Sequence, residues 1–240
     1  MKNEEGWQPS KILLRDGKWY SNESFVGLRS EHVGKLECKD YVDVLERHAS
    51  GDLLDIGAGT VPYYGVYKDK TDSVVCVDWA KSLHDLRHID VIADVNLGLP
   101  FEENKFDTVL LADVLEHIKD PGLLISECSR VLRRSGKIII FVPFMYWIHE
   151  QPNDYYRYTE YSLAALAKDN NLDVVELHQY GGGPDILIDA TQKMFSESRV
   201  AYKLTHLIWK QFIKTTTYEK LRAEHIKRFP IGYSFVAQKR

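Results

Sequence analysis

From Asp52 to Val142 the chain alternates short runs dense in valine, isoleucine and leucine with stretches whose apolar residues recur at helical spacing. The dense runs are Leu53–Ile56, Ser73–Val77, Ile89–Ala93, Thr108–Leu111 and Lys137–Val142. Runs with so few polar interruptions suit strands covered on both faces. Between the last two, Pro121 to Arg134 carries Leu123, Leu124, Ile125, Cys128, Val131 and Leu132 at a helical period. Asp120 is placed to cap that helix, Pro121 suits its first turn, and Gly136 follows its end. This alternation predicts a parallel, doubly wound sheet with right-handed crossovers. Ligands of such sheets bind outside the carboxyl ends of the strands, where the strand order reverses.

Two regions depart from the pattern. Residues 1–50 scatter Trp7, Trp19, Tyr20 and Phe25 among charges before a predicted helix from Glu37 to His48. They are expected to form an N-terminal extension of lid helices on a domain spanning 51–240. Residues 184–228 read as a helical insertion, with Val200, Leu204, Leu207, Ile208 and Ile213 approximating one face. Gly232–Gln238, beyond it, reads as a closing strand.

Composition narrows the class. The 240 residues are 44% hydrophobic and 28% charged, as in ordinary globular domains. A net charge of −4 and a pI near 6.1 leave no basic footprint, so no nucleic-acid partner is expected. Cys38, Cys76 and Cys128 are far apart and unpaired in spacing, as in a cytoplasmic protein with reduced thiols. No secretory leader opens the sequence. The longest apolar run, Ile138 to Ile148, is broken by Pro143 and falls short of the roughly 18 residues a bilayer span needs.

The candidate chemistry begins at Leu53-Leu54-Asp55-Ile56-Gly57-Ala58-Gly59-Thr60, a buried strand running into two closely spaced glycines. Glycine there lets the backbone approach a ligand with no Cβ in the way. Asp78 closes the next strand, where an acidic residue can accept both ribose hydroxyls of a nucleotide. Asp94 closes the third and can accept from an exocyclic amine. Phe106 to His117 then runs from strand to helix through Asp113. Residues 51–180 closely resemble the class I S-adenosylmethionine-dependent methyltransferases, in particular the type 11 group. The resemblance implies a Rossmann-like seven-stranded sheet, mostly parallel with an antiparallel last strand, closed by Val174–Tyr180 and Gly232–Gln238 as a hairpin-like pair. It implies S-adenosylmethionine as cofactor and S-adenosylhomocysteine as product. By analogy Asp55, Gly57, Ala58 and Gly59 surround the methionine part, Asp78 and Trp79 the ribose, and Asp94 and Val95 the adenine. Asp113 would lie beside the methionine end, or else cap the following helix. Glu116 and His117 recur in the family, yet a packing or solvent-facing role suits them equally. Many members have a third glycine where this chain has Val61-Pro62. Since a β-branched residue disfavours positive φ, the turn is expected to enter its helix early, with Pro62 in the first turn. Pro62 also breaks the G-x-G-x-x-G of nicotinamide-binding turns.

The acceptor side is expected in Pro143 to Thr159, after the fifth strand. Its H-E-x-P-x-D-Y-x-R-Y-T string, His149 to Thr159, resembles a bacterial type 11 subgroup associated with cell-surface polysaccharide or lipid-linked glycan synthesis. The reading is O-methylation of a sugar hydroxyl, with His149 as general base because imidazole titrates near neutrality. Asp154 would orient His149 or substitute for it. Tyr146, Trp147, Tyr155 and Tyr156 would pack against the acceptor, and Arg157 would clamp a carboxylate or phosphate. The structural alternative has the tyrosines burying the loop and Arg157 pairing with Asp154. No metal is expected, because His149, Glu150 and Asp154 lack ligand spacing. Thr159 and Glu160 cap a helix through Lys168. Residues 200–214, with Lys203, Lys210, Lys214, Trp209 and Phe212, would either rest on the inner face of a membrane or pack on the core or a second subunit, as in a homodimer. The competing functions are methylation of a small aromatic or quinone-like acceptor, and a non-catalytic, cofactor-binding partner subunit.

Overall fold

A computed structural model describes residues 1–240, apart from the side chain of Leu28. The chain opens with a hairpin, β1 (Ile12–Arg15) and β2 (Lys18–Ser21). Asp16 and Gly17 form its turn, both at positive φ (50° and 72°), as a two-residue hairpin loop requires. The N-terminal region is therefore not helical throughout. The Asp-Gly pair between two β-type runs was the available signal for the hairpin. After a short α1 (Glu23–Val26) comes α2 (Glu31–His48), which starts a turn and a half earlier than the apolar period suggests.

The sheet follows. In chain order its parts are β3 (Gly51–Ile56), α3 (Tyr64–Tyr67), β4 (Thr71–Asp78), β5 (Val91–Ile92), β6 (Phe106–Ala112), α4 (Pro121–Val131), β7 (Leu132–Pro143), α5 (Glu160–Asp169) and β8 (Leu172–Tyr180). The insertion supplies α6 (Gly183–Phe195), α7 (Arg199–Phe212) and α8 (Thr216–His225), and β9 (Gly232–Lys239) closes the chain. Strand order is β5-β4-β3-β6-β7-β9-β8, with β9 antiparallel to both neighbours and the other pairings parallel. The expected seven-stranded sheet is thus present, and β8 and β9 do pair across the insertion.

Alternation along each strand divides the core. Leu54, Ile56, Val109, Leu111, Ile138 and Ile140 face α4 and α5, whereas Leu53, Leu110, Ile139 and Phe141 face α2 and α3. Both faces are covered, which is why the strands read as nearly unbroken apolar runs. On α2, Cys38, Tyr41, Val42 and Leu45 form the buried stripe, and the Tyr41 ring stacks on Phe141 at 3.8 Å. This helix belongs to the sheet's covering layer and is no detached lid.

Boundaries shift where tertiary packing overrides local pattern. The α4 helix ends at Val131, and Leu132 already pairs with Phe106; Gly136 consequently lies inside β7. Asp120 caps α4 by accepting from the Leu123 N–H at 3.0 Å. At the sheet edge, β5 keeps only Val91 and Ile92 because nothing beyond Asp78 remains to pair with it. The Thr159 hydroxyl caps α5, with Ser162, not Glu160, completing the reciprocal bond. Buried Asp185 ties the insertion to the N-terminal layer through His32 (2.7 Å) and braces α6 against α8 through Tyr218 (2.5 Å) and Arg222 (3.0 Å). In α7, Tyr202 is buried and the Trp209 indole donates to Thr191, while Val200, Leu204, Leu207 and Ile208 are exposed. The apolar face is therefore the outer one, and packing on the core of this chain is not its use. Among the described residues, no helix is long and apolar enough to cross a membrane.

Candidate active site

The strand order reverses between β3 and β6, and a crevice of about 650 Å³ opens at their carboxyl ends. Its wall includes Asp55, Gly57, Ala58, Gly59, Asp78, Trp79, Asp94, Val95 and Asp113, together with Tyr146, His149 and Tyr155 from the loop after β7. Twelve of the sixteen candidates from the sequence therefore converge on one cavity. The four outside its wall are Trp147, Asp154, Tyr156 and Arg157.

The glycine turn is held against β4, as the Gly57 and Ala58 N–H groups donate to the Val77 carbonyl at 2.8 and 3.1 Å. Gly57 and Gly59 both have positive φ, and a Cβ at Gly57 would lie 2.5 Å from a Val114 methyl. A side chain at Gly57 would therefore have to displace Val114 or the turn itself. Val61 corrects the expectation for the next turn: it adopts φ +51°, fully buried, and α3 begins only at Tyr64. Pro62 lies before that helix. Packing holds Val61 there, since its N–H donates to Ala58 and its carbonyl accepts from the Trp7 indole.

Each carboxylate has a distinct setting. Burial pushes Asp55 up to about 7, against the pull of a 2.7 Å bond from the Tyr67 hydroxyl. Asp78 accepts from the N–H groups of Gly59 (2.9 Å) and Trp79 (2.7 Å), so it braces the turn as well as facing the cavity. Exposed Asp94 caps a single 3₁₀ turn through one oxygen, accepting from Asn96. Asp113 does not cap the next helix: the turn after it has no side-chain cap. Its carboxylate instead accepts from Tyr41 (2.6 Å) and Lys11 (3.2 Å), and Lys11 also pairs with Glu37 at 3.1 Å. Burial opposes charge on Lys11, but Glu37, Tyr63 and Asp113 raise its pKa overall.

The loop after β7 corrects several expectations. Arg157 pairs bidentately with Asp154 at 2.5 and 2.8 Å and also donates to the carbonyls of Trp147 and Tyr156. It clamps its own loop, not an acceptor. Although burial would raise the Asp154 carboxyl, Arg157 and the His149 N–H hold it down at about 2, a poor substitute base. Its oxygen accepts the His149 backbone N–H at 2.9 Å, which suits an orienting part. Tyr156 donates to the Lys119 carbonyl and Trp147 lies 4.9 Å beneath the Lys193 ammonium, so both serve the loop. Tyr146 reaches the cavity, with Lys193 at 3.5 Å from its ring centre.

Residues without an assigned role in the sequence reading also enter the site. Lys11, Glu37 and His84 line it; Lys11 meets Asp113 across 102 residues, and no local pattern announces such a contact. Glu116 and His117 line it too, and Glu116 is fully buried, which ends the solvent-facing reading. Burial depresses the His149 pKa, but Glu116 and Asp154 outweigh that and raise it overall.

A seven-stranded sheet of this order, with a crevice at the carboxyl ends of its strands, is the architecture of the class I methyltransferases. The methyltransferase domain family matches residues 54–140. Protein MJ1123 of Methanocaldococcus jannaschii, itself uncharacterised, is 32% identical over 167 residues, covering 66% of this chain and 77% of that one. Residues 54–140 are thus a methyltransferase domain, whose cofactor is S-adenosylmethionine. A demethylmenaquinone methyltransferase of Renibacterium salmoninarum is 30% identical over 93 residues, covering 37% of this chain and 39% of that enzyme. The fold matches a methyltransferase from Archaeoglobus fulgidus with a TM-score of 0.57 at 17% identity, over 90% of this chain and 97% of that one. It also matches Haemonchus contortus phosphoethanolamine N-methyltransferase 2 in complex with S-adenosylmethionine, with a TM-score of 0.53 at 20% identity over 91% and 57%.

Proposed function

We propose that this methyltransferase acts on a hydroxyl of a sugar carried by a glycan or lipid-linked glycan. The observation that carries the reading is one crevice running from the glycine turn to a mouth formed by Tyr146, His149, Glu150 and Tyr155. The cofactor, when bound, supplies an electrophilic methyl on a cationic sulfur. Asp78 and Asp94 would hold its ribose and adenine amine. Asp55, Gly57, Gly59 and Asp113 would hold its methionine end, where a turn stripped of Cβ atoms fits close backbone approach. A sugar hydroxyl is a weak nucleophile, so its proton must leave as its oxygen forms the new bond. His149 stands at the crevice wall, held by Asp154, and in this reading takes that proton. The faces of Tyr146 and Tyr155 suit sugar C–H surfaces, and the string from His149 to Thr159 supports a glycan acceptor.

The test is transfer of labelled methyl from S-adenosylmethionine into separate pools of lipid-linked glycan, free sugars and quinones. Label in a glycan ether is expected. Label in the quinone pool alone would replace this reading by a second one, supported by the match to a demethylmenaquinone methyltransferase. Binding without transfer to any pool would favour a non-catalytic partner subunit.

The exposed Val200, Leu204, Leu207 and Ile208 of α7, beside Lys203 and Lys210, support the lipid-linked form. A basic-edged apolar face suits the surface of an anionic bilayer. Co-sedimentation with anionic vesicles, abolished by Leu204→Glu, is expected; no sedimentation of the wild type would point to a soluble acceptor.

A further inference from the structure

We propose that Glu116, His117 and His149 form a site for one divalent transition-metal cation on the acceptor side of the crevice. Glu116 is fully buried, and neither carboxylate oxygen has a hydrogen-bond partner among the described residues. A carboxylate in that position persists only with a proton or a cation beside it. Two imidazole Nε2 atoms approach its Oε1, 3.8 Å away in His117 and 3.7 Å in His149. Those gaps are too wide for hydrogen bonds. They suit ligands of a shared ion, because two donors each about 2.1 Å from a metal can be up to about 4.2 Å apart. All three donor atoms lie within 4.8 Å of one another, so small side-chain rotations close the site.

Ring orientation is the second argument. His117 Nδ1 is 2.7 Å from the Asn153 carbonyl, and a carbonyl only accepts. Nδ1 therefore carries the hydrogen, and in the neutral ring Nε2 presents its lone pair toward Glu116. His149 Nδ1 is 3.3 Å from the Trp147 carbonyl and 3.4 Å from the Asp154 carboxylate, with the same consequence. Histidines that ligate metals are held by outer contacts of this kind. The Glu116 carbonyl in turn accepts from the Tyr155 and Tyr156 N–H groups, locking the two segments together. Two imidazoles and one carboxylate suit Zn²⁺, Mn²⁺, Fe²⁺ or Co²⁺, with coordination positions left open.

The site deepens the proposed function and rests on it in one respect: its three residues line the same crevice that would take the acceptor. A hydroxyl oxygen bound there loses its proton more readily, to solvent at the mouth of the crevice. His149 then acts as a ligand and no longer as the base.

The test titrates Co²⁺ into metal-stripped full-length protein, without cofactor or acceptor, and follows visible absorption and heat. One equivalent is expected to bind, and Glu116→Gln and His149→Gln should each weaken binding about 10- to 100-fold, with circular dichroism confirming folded variants. Absence of stoichiometric binding to the wild type, or full binding by folded Glu116→Gln, overturns the site. Methyl transfer that persists in excess chelator also overturns it, while leaving the methyl-transfer reading intact. Stoichiometric, Glu116-dependent binding with no acceptor methylated supports the site and removes the acceptor reading instead.

Discussion

The Tyr41 hydroxyl donates to Asp113 at 2.6 Å, joining the helix before the sheet to the carboxyl end of its fourth parallel strand in sequence, β6. Stacked on Phe141, the Tyr41 ring is fully buried and fixes that hydroxyl in place. Tyr41→Phe keeps the stack and removes the bond. Stability should fall by about 1 kcal/mol, read by thermal melting, and cofactor affinity should fall with it as Asp113 loses its anchor. Unchanged affinity in calorimetry would remove Asp113 from the methionine end.

Asp55 makes cofactor binding depend on pH. Its carboxyl stands at about 7 because of burial, well above the ordinary range near 3.9. Below that pH the free protein holds it neutral, and a cationic methionine end should expel the proton. Affinity should therefore weaken as pH falls through about 7, with proton uptake by the buffer on binding. Calorimetry in buffers of different ionisation enthalpy measures this, and Asp55→Asn should abolish it. The same shift gives the free protein stability that is fully present below about pH 4 and lost as pH rises through about 7.

Val61 reverses the usual order of substitutions. Its positive φ costs on the order of 1–3 kcal/mol, while its buried side chain contributes about 1.5–3 kcal/mol. Val61→Gly relieves the first as it forfeits the second, whereas Val61→Ala forfeits packing and keeps most of the strain. Denaturant unfolding should show the glycine variant at least as stable as the alanine variant; the opposite order would mean that the turn is unstrained.

His149→Ala should lower turnover roughly 10²-fold or more while leaving cofactor affinity intact, because the cofactor carboxylates lie on other elements. Full activity would take His149 out of the chemistry. A parallel loss of cofactor binding would show that the loop supports the cofactor instead.

How far the sequence carried depended on whether the causes were local. The apolar runs at Leu53–Ile56 and Lys137–Val142 became central strands because covering both faces demands such runs. The Asp55, Asp78, Asp94 and Asp113 positions share one crevice because each ends a parallel strand of the same sheet. The Asp16-Gly17 turn is local in the same sense, two adjacent residues that supply the positive φ a tight hairpin needs.

Arg157 and Glu116 mark the other limit. A guanidinium amid tyrosines reads equally as a clamp for an acceptor or for Asp154, and only the folded loop chose Asp154. Glu116 looked like any polar residue near a helix start until burial stripped both oxygens of partners and set His149 opposite, 33 positions away. Strand periodicity and the glycine turn are consequences of neighbouring residues, so the sequence alone determined the sheet and the cofactor end of the crevice. Burial, pairing and ring orientation depend on distant segments packing together, so only the tertiary structure decided what Lys11, Glu116 and Arg157 face.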